Sequence, residues 1–335
     1  MGPTTVRSSG IAGSVDLGVA GTIIVQWAPL KQSGTFMGVL MLFGPFAFAF
    51  ANPLVGTMCS SSFRWQGAYY LQALVTLVVF VGWLIVYRDD VHQHPLMSYL
   101  EVHLIEEGKT PKENTSAGAP PYLRIFTNPS VIVSLLSLLV DMTAAAPVLF
   151  YTPIYLHSVL GFSVSSTAWL SILGPALHAV AKFAVGIASD TMPLSQLCKL
   201  RLFNSISTFG VGLALVGAAF APNRTIALIS FTASCVFLGA HAGGFFKCAA
   251  LVARQYTDVV LSAMQLAKIG GFFLGPAIVA ALTESDEDVE GWRLVFVATF
   301  VLLSASGALF FAVASSEPAH FTRTPILTSS KAAPH

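Results

Sequence analysis

Ionisable side chains within long apolar stretches are the residues of this sequence best suited to chemistry. A charge at the middle of a lipid bilayer costs at least about 2.5–3.5 kcal/mol, so such a side chain usually faces a bundle interior or a water-filled cavity. Our candidates for lining a substrate or ion path are Asp141, His178, Lys182, His241 and Lys268. For Lys247 we expect a position near the end of its span, from which its ammonium group extends to the lipid headgroups.

The spacing of the polar residues predicts which of these side chains meet. Asp141 lies near the middle of its apolar stretch. In the next stretch, small or polar residues recur every four positions: Gly174, His178, Lys182, Gly186 and Asp190. Such a ridge lets two helices approach closely, and we expect Lys182 to pair with Asp141. Two interpretations stay open: these groups line a path, or they form a structural ion pair with His178 and His241 as hydrogen-bonded core residues.

The balance of charge inside the apolar stretches indicates the class of ligand. Asp141 is the one acid among these interior groups, against Lys182, Lys268 and, if it also faces the interior, Lys247, so the surplus is positive. An anion most easily compensates two lysines that face one cavity, which predicts a small anionic solute. As the coupling ion, a proton and sodium both remain open. No metal site and no other cofactor is predicted.

A second group of charges lies at the end of the same polar ridge. The pattern Gly186-x-x-x-Asp190 is followed, after a short turn, by Lys199 and Arg201 at the start of the next apolar stretch. An acid at one helix end that faces bases on the next helix can hold two helices together in one conformation and release them in another. We therefore predict a conformational clamp formed by Gly186, Asp190, Lys199 and Arg201.

The elements that position these residues follow from composition and hydropathy. Hydrophobic residues make up 55% of the 335 residues and charged residues 10%, against roughly 25% charged in soluble domains. Nine apolar stretches are long enough to cross a bilayer as helices: 11–28, 35–58, 66–87, 131–154, 166–189, 200–221, 225–252, 259–283 and 292–315. The chain is therefore predicted to be an all-α polytopic membrane protein.

One long polar segment divides these stretches into three and six. We predict a partial N-terminal bundle at 8–88, a central loop at 89–128, a six-helix bundle at 129–315 and a tail at 316–335. Basic residues are retained on the cytoplasmic side of short loops. On the side of the central loop lie Lys31, Arg88, Lys109, Lys112, Arg124, Lys199, Arg201, Arg254, Arg323 and Lys331, and on the other side lie Arg7, Arg64, Arg224 and Arg293. The central loop and the C-terminus are therefore predicted to be cytoplasmic.

The sequence also argues against other classes of protein. A net charge of +1 with no basic run gives no indication of a nucleic-acid partner. No His-Glu-x-x-His, no pair of intramembrane aspartates and no Gly-x-Ser-x-Gly is present, so an intramembrane enzyme is not predicted. The expected partners are a small anionic solute and the lipid bilayer, and the oligomeric state is not predicted.

Several short motifs resemble one family of membrane proteins. His94-Pro95-Leu96-Met97-Ser98, followed by Glu101, is similar to the central-loop signature of the anion:cation symporter branch of the major facilitator superfamily, which includes sodium-phosphate, sialic-acid and vesicular glutamate transporters. The Trp-Ala-Pro at 27–29 resembles the end of its fourth helix, 65–70 the start of its sixth, and 153–175 its seventh and eighth helices. Segment 186–190 falls where the superfamily's repeated helix-loop-helix signature recurs.

This resemblance implies two six-helix bundles around a central site that opens alternately to the two sides of the membrane. The chain corresponds to helices four to six and the whole second half, a partial major-facilitator fold without the first three helices. The family's Glu-Arg after Trp-Ala-Pro is replaced by Lys31-Gln32. The predicted function is a secondary active transporter of small anions. The alternatives are a truncated, non-transporting relative that acts as a membrane partner or regulator, and a fragment of an incomplete gene model.

Overall fold

The first group of helices precedes the polar loop. The structure, a computed structural model, describes residues 16–59, 62, 64–107 and 120–322. Its first four helices are α1 (Asp16–Trp27), α2 (Ser33–Leu40), α3 (Phe43–Cys59) and α4 (Arg64–Val86). α1 ends where Pro29 follows, because a proline disfavours helical backbone at the residue before it. A turn at Met41 separates α2 from α3, so the second predicted span is bent rather than straight.

The described part of the central loop contains two short α-helices, α5 (Tyr99–Glu106) and α6 (Tyr122–Phe126), and a 3₁₀ turn, Val91–Gln93. Ser98 and Glu101 form a capping box that starts α5, since each side chain accepts the other residue's backbone N–H. The His94 ring stands edge-on to Trp27 at the end of α1, with 5.4 Å between ring centroids. The hydrogen bond from Lys31 holds the pKa of the Glu107 carboxyl below its usual range. The loop signature thus has a structural role: it begins a helix and holds the loop against the first helical group.

The second group contains seven α-helices of nine or more residues: α7 (Pro129–Phe150), α8 (Val164–Thr191), α9 (Gln196–Ala219), α10 (Arg224–Leu238), α11 (Phe245–Ala253), α12 (Thr257–Leu282) and α13 (Val289–Val313). A short helical turn, Thr152–Ile154, and a π-helical segment, Tyr155–Val159, lie between α7 and α8. Side-chain caps begin several of the seven α-helices by accepting free backbone N–H groups. The capping residues are Asn128, Ser163, Ser195, Asn223 and Asp288. The hydrogen bond from the Gly291 N–H also lowers the pKa of the Asp288 carboxyl.

Seven segments of the described residues are long and apolar enough to cross a membrane, by length and composition. One of them, Arg224–Leu282, has 59 residues and contains α10, α11 and α12, so it accounts for two of the predicted spans. The first predicted span, 11–28, is described only from Asp16, where α1 has 12 residues. The predicted span 225–252 is not one continuous helix, because a 3₁₀ segment, Gly239–Gly243, separates α10 from α11.

The two groups of helices meet through specific pairs. α1 packs on α12, while α2 and α3 pack on α8. Within the second group α7 lies against α12 and α13, and α9 against α10 and α13. α4 packs on α3, and none of its residues from Tyr69 to Val86 is buried. The core that positions the candidate residues therefore lies among α7 to α13, with α1 to α3 docked on one side.

The backbones of α7 and α12 approach closely in this core. A Cβ atom added at Gly275 would lie 2.4 Å from the Cβ of Ala146 and 2.7 Å from the carbonyl oxygen of Thr143. At Gly82, in α4, an added Cβ would meet no atom within 4 Å. The same substitution should therefore have opposite effects at these two helical glycines.

We expect Gly275→Ala to destabilise the protein by about 1–3 kcal/mol, the usual cost of overpacking. Gly82→Ala should be neutral or stabilising by up to about 1 kcal/mol, because alanine favours a helix more than glycine does. Thermal unfolding of both variants in detergent measures the difference. If Gly275→Ala unfolded at the wild-type temperature or above, the close contact between α7 and α12 would be wrong.

Candidate functional site

A buried carboxylate lies at the centre of the second group of helices. Asp141, near the middle of α7, has no exposed surface. Its Oδ2 lies 3.1 Å from Nδ1 of His241, and its Oδ1 accepts a hydrogen bond of 3.4 Å from the Ser207 hydroxyl on α9. Both oxygens therefore have partners, as a buried carboxylate requires. Ser207 is a member of this site that the sequence analysis missed.

His241 reaches Asp141 from the break between α10 and α11. Glycines at this break allow the chain to pack directly on two neighbouring helices. A Cβ at Gly239 would lie 2.8 Å from the backbone nitrogen of Lys182, and one at Gly244 would lie 3.0 Å from the Cα of Asn204. Discontinuous helices of this kind commonly form substrate and ion sites in transporters. The site is therefore built around a helix break rather than on a regular helix face.

Two further candidates complete the cluster from α8. The rings of His178 and His241 are 5.8 Å apart at their centroids, and His178 is 5% exposed. Among the residues that the structure describes, neither ring nitrogen of His178 has a hydrogen-bond partner. Lys182 follows one turn later, equally buried. The structure thus brings together four of the five predicted path residues: Asp141, His178, Lys182 and His241.

The prediction that Lys182 pairs with Asp141 is wrong, because each of these side chains has a different partner. The Asp141 carboxylate pairs with His241 instead, and the Lys182 ammonium donates a 3.3 Å hydrogen bond to the carbonyl oxygen of Met41. Met41 follows the last turn of α2, where carbonyl groups lack helical donors and carry partial negative charge. Lys182 therefore points toward the junction with the first group of helices.

The fifth candidate, Lys268, has its counter-ion outside this cluster. Its ammonium is 2.5 Å from the Oδ2 of Asp16 at the start of α1 and 5.8 Å from the centroid of the Phe43 ring. The sequence analysis counted Lys268 as uncompensated charge, whereas the first group of helices supplies its counter-ion. The predicted positive surplus is therefore smaller than expected, and Lys182 is the cation that retains it.

The second predicted group, the clamp, joins the two groups of helices at the end from which the central loop leaves, here called the loop end. The Asp190 carboxylate accepts hydrogen bonds from the backbone nitrogens of Gly34, at 3.1 Å, and Thr35, at 2.6 Å. These are free N–H groups in the first turn of α2, where partial positive charge favours a carboxylate. Gly186 lets the backbones approach, since a Cβ there would lie 3.0 Å from the carbonyl oxygen of Gly34.

The base that pairs with Asp190 is Lys247, at 2.7 Å. Lys247 also donates to the hydroxyl and carbonyl oxygens of Ser189 and is 2% exposed. The prediction that Lys247 extends to the lipid headgroups is therefore wrong, because a buried carboxylate and two further acceptors hold its ammonium inside.

The two bases that the sequence analysis assigned to the clamp make other contacts than the predicted ones with the Asp190 carboxylate. Lys199 donates a 3.3 Å hydrogen bond to the backbone oxygen of Asp190, not to its carboxylate. The Arg201 guanidinium lies over the Phe311 ring, 4.8 Å from its centroid. Lys199 thus supports the clamp through the backbone, and Arg201 makes its contact elsewhere.

Comparisons with known proteins give a consistent result. A family model described as Major Facilitator Superfamily matches residues 8–267. Sialin of Homo sapiens is 24% identical over 299 residues, which cover 85% of this chain and 58% of that protein. Vesicular glutamate transporter 2 of Homo sapiens is 22% identical, covering 87% and 51%, and a putative inorganic phosphate cotransporter of Drosophila ananassae is 22% identical, covering 84% and 60%. The chain therefore spans about half to three fifths of the length of these relatives.

Proposed function

The chain belongs to the major facilitator superfamily, in the anion:cation symporter branch that its motifs resemble, and on that basis we propose that it carries small anions as a secondary active transporter. It is a multi-pass membrane protein. Two of the relatives are named as a glutamate transporter and as an inorganic phosphate cotransporter, which supports a small anion as the solute. The predicted orientation, with the loop end in the cytoplasm, is part of this proposal.

The observation that carries the proposal is the position of Lys182. Its ammonium is buried at the junction of the two helical groups and donates to a neutral carbonyl, Met41, while Lys268 and Lys247 each have a carboxylate. A charged hydrogen bond to an anion replaces a carbonyl contact favourably in a buried site. A solute at Lys182 would also lie beside the unpartnered nitrogens of His178.

The clamp gives the proposal its conformational element. Asp190 ties α8 and α11 to the first turn of α2 and so holds the two helical groups together at the loop end. In the alternating-access cycle that we propose, this contact closes one side of the path and must break when that side opens. The clamp is a small, fully hydrogen-bonded contact, which suits such a two-state role.

Uptake by the purified full chain in lipid vesicles tests the proposal. With an inward gradient of protons or of sodium, we expect accumulation of radiolabelled glutamate or phosphate. Lys182→Met should reduce the uptake rate at least about ten-fold. This is the effect expected when the solute loses one charge-assisted hydrogen bond, which contributes about 1.5 kcal/mol. Lys31→Met is the matched control, because the Lys31 side chain is 77% exposed.

Two outcomes would count against the carrier. Unchanged uptake by Lys182→Met would remove Lys182 from the anion site. Folded wild-type protein that took up neither anion would overturn the transport proposal and favour the alternative, a membrane partner that does not transport. Lys268→Ala gives a weaker test, because that variant also leaves Asp16 without its counter-ion.

A further inference from the structure

We propose that Asp141, His241 and His178 form a relay that binds and passes the coupling proton, within the second helical group alone. This inference rests on the proposed function, because it names the ion that a coupled carrier would use. It concerns three side chains from three different elements: α7, the 3₁₀ break and α8.

The contacts of these side chains suit proton transfer. His241 touches the Asp141 carboxylate at 3.1 Å, and its ring faces His178 with 5.8 Å between centroids and a 78° angle between ring planes. An imidazole accepts a proton at one nitrogen and releases a proton from the other, so each histidine returns to its neutral form after a transfer. A proton taken up by His178 can pass to Nε2 of His241 once ring rotation brings a nitrogen of each ring within hydrogen-bond distance, and His241 then gives its Nδ1 proton to the Asp141 carboxylate.

His178 supplies the observation that points to a transferable ligand. It is 5% exposed, yet both of its ring nitrogens lack a hydrogen-bond partner within the described part of the chain. Buried polar atoms are normally hydrogen-bonded, so an unpaired pair of nitrogens in a core is costly unless it serves a function. A neutral imidazole with a free nitrogen is an acceptor ready for a proton.

The same surroundings are poorly suited to sodium. Hard cations prefer a shell of several oxygen ligands, whereas one Asp141 oxygen faces the His241 ring and the other already accepts from Ser207. Imidazole nitrogen is a ligand for softer metals. The Asn204 side chain is buried beside Gly244, and among the described residues neither of its amide atoms has a hydrogen-bond partner, so its oxygen is a ligand that could favour sodium. The experiment below therefore includes a sodium arm.

The charged groups around the relay provide a coupling mechanism. Lys182 lies one helical turn from His178 and interacts electrostatically with Asp141 and both histidines, and Lys268 interacts with Lys182. The Lys182 ammonium repels a proton that arrives on His178. An anion bound at Lys182 would cancel that repulsion, so each ligand would favour the other, as symport requires.

Infrared difference spectroscopy of the full chain in lipid tests the relay without any solute. As the pH is lowered, we expect a carboxylic-acid band of one buried group, lost in Asp141→Asn and retained in the control Asp16→Asn. His178→Gln, which keeps a polar side chain, should shift the pH at which the band appears. An unchanged band in Asp141→Asn, or an unchanged midpoint in His178→Gln, would overturn the relay. So would loss of the band at constant pH when sodium replaces choline, because sodium would then be the ion bound.

Transport assays separate failure of the relay from failure of the proposed function. Exchange of glutamate for glutamate across the vesicle membrane moves no net proton, so wild-type exchange should need no pH gradient. Wild-type uptake should be stimulated by a pH gradient, and Asp141→Asn should lose that stimulation. Stimulation that persists in Asp141→Asn overturns the relay and leaves the carrier intact. If wild-type vesicles show neither uptake nor exchange, the transport proposal fails, and the infrared bands alone decide whether the relay binds a proton.

Discussion

Asp190→Asn should lower the free energy of unfolding by about 3–5 kcal/mol, the usual cost of removing one partner of a buried ion pair. Lys247, at 2% exposure, would keep its charge without a counter-ion. The substitution preserves the size of the side chain, and its amide oxygen can still accept an N–H from α2. The loss therefore reports mainly the uncompensated ammonium. Denaturation in mild detergent, followed by tryptophan fluorescence, measures it.

The double variant Asp190→Asn/Lys247→Met is the decisive comparison. Replacing a buried pair by neutral residues of similar volume is often neutral in stability, so we expect most of the loss to be recovered. Glu107→Gln serves as the control, because its partner Lys31 is 77% exposed and an exposed pair contributes about 0–1 kcal/mol. A double variant as unstable as Asp190→Asn would show that the hydrogen bonds to Gly34 and Thr35, not the charge pair, hold the contact.

The clamp also shows what sequence reasoning could reach. The pattern Gly186-x-x-x-Asp190 pointed to an acid that the structure places against α2, because glycine and aspartate four residues apart share one helix face. The base was sought in the adjacent turn, where Lys199 and Arg201 follow. Its actual partner, Lys247, is separated from Asp190 by 57 residues. Proximity along the chain is a weak guide once helices pack side by side, and only the tertiary arrangement selects the partner.

The buried cluster around Asp141 was also predicted only in part, again because tertiary packing decides which side chains pair. Hydropathy and periodicity predicted that Asp141, His178, Lys182 and His241 lie inside the bundle, and the structure places them together. The sequence analysis missed the helix break at Gly239–Gly243, because the hydropathy of an apolar stretch does not show where its helix is interrupted. The glycines at 239, 243 and 244 were the available signal, and they explain why His241, rather than Lys182, reaches the carboxylate.

The class of protein was the most secure prediction, since apolar stretches of span length allow few alternatives in lipid. The charge balance was the least secure. It considered only how deep each lysine lies in its apolar stretch, whereas Asp16 neutralises Lys268 and Asp190 neutralises Lys247. Counter-ions come from helices that are distant in sequence, so a sum over the chain overestimates the charge that a solute would meet.

Gly186→Leu should hold the loop end open and reduce uptake more than about ten-fold, because the two groups of helices could no longer close against each other there. An added Cβ would lie 3.0 Å from the carbonyl oxygen of Gly34 and 3.2 Å from the Cα of Thr35. Both neighbours are backbone atoms, which cannot move aside as a flexible side-chain end can, and interiors tolerate overpacking poorly. Separation of α8 from α2 relieves this clash without unfolding either helical group.

Cysteine labelling can detect that opening directly. Ser33, at the start of α2, is 5% exposed, so Ser33→Cys in a background with Cys198→Ser should react slowly with a maleimide after subtraction of background labelling. Adding Gly186→Leu should accelerate the reaction, whereas Gly44→Leu should not, because a Cβ at Gly44 meets no atom within 4 Å. If Gly186→Leu left the cysteine protected and uptake unchanged, the contact at the loop end would be structural packing and not a gate. Rapid labelling together with lost uptake would identify the closure of this contact as a required step of the cycle.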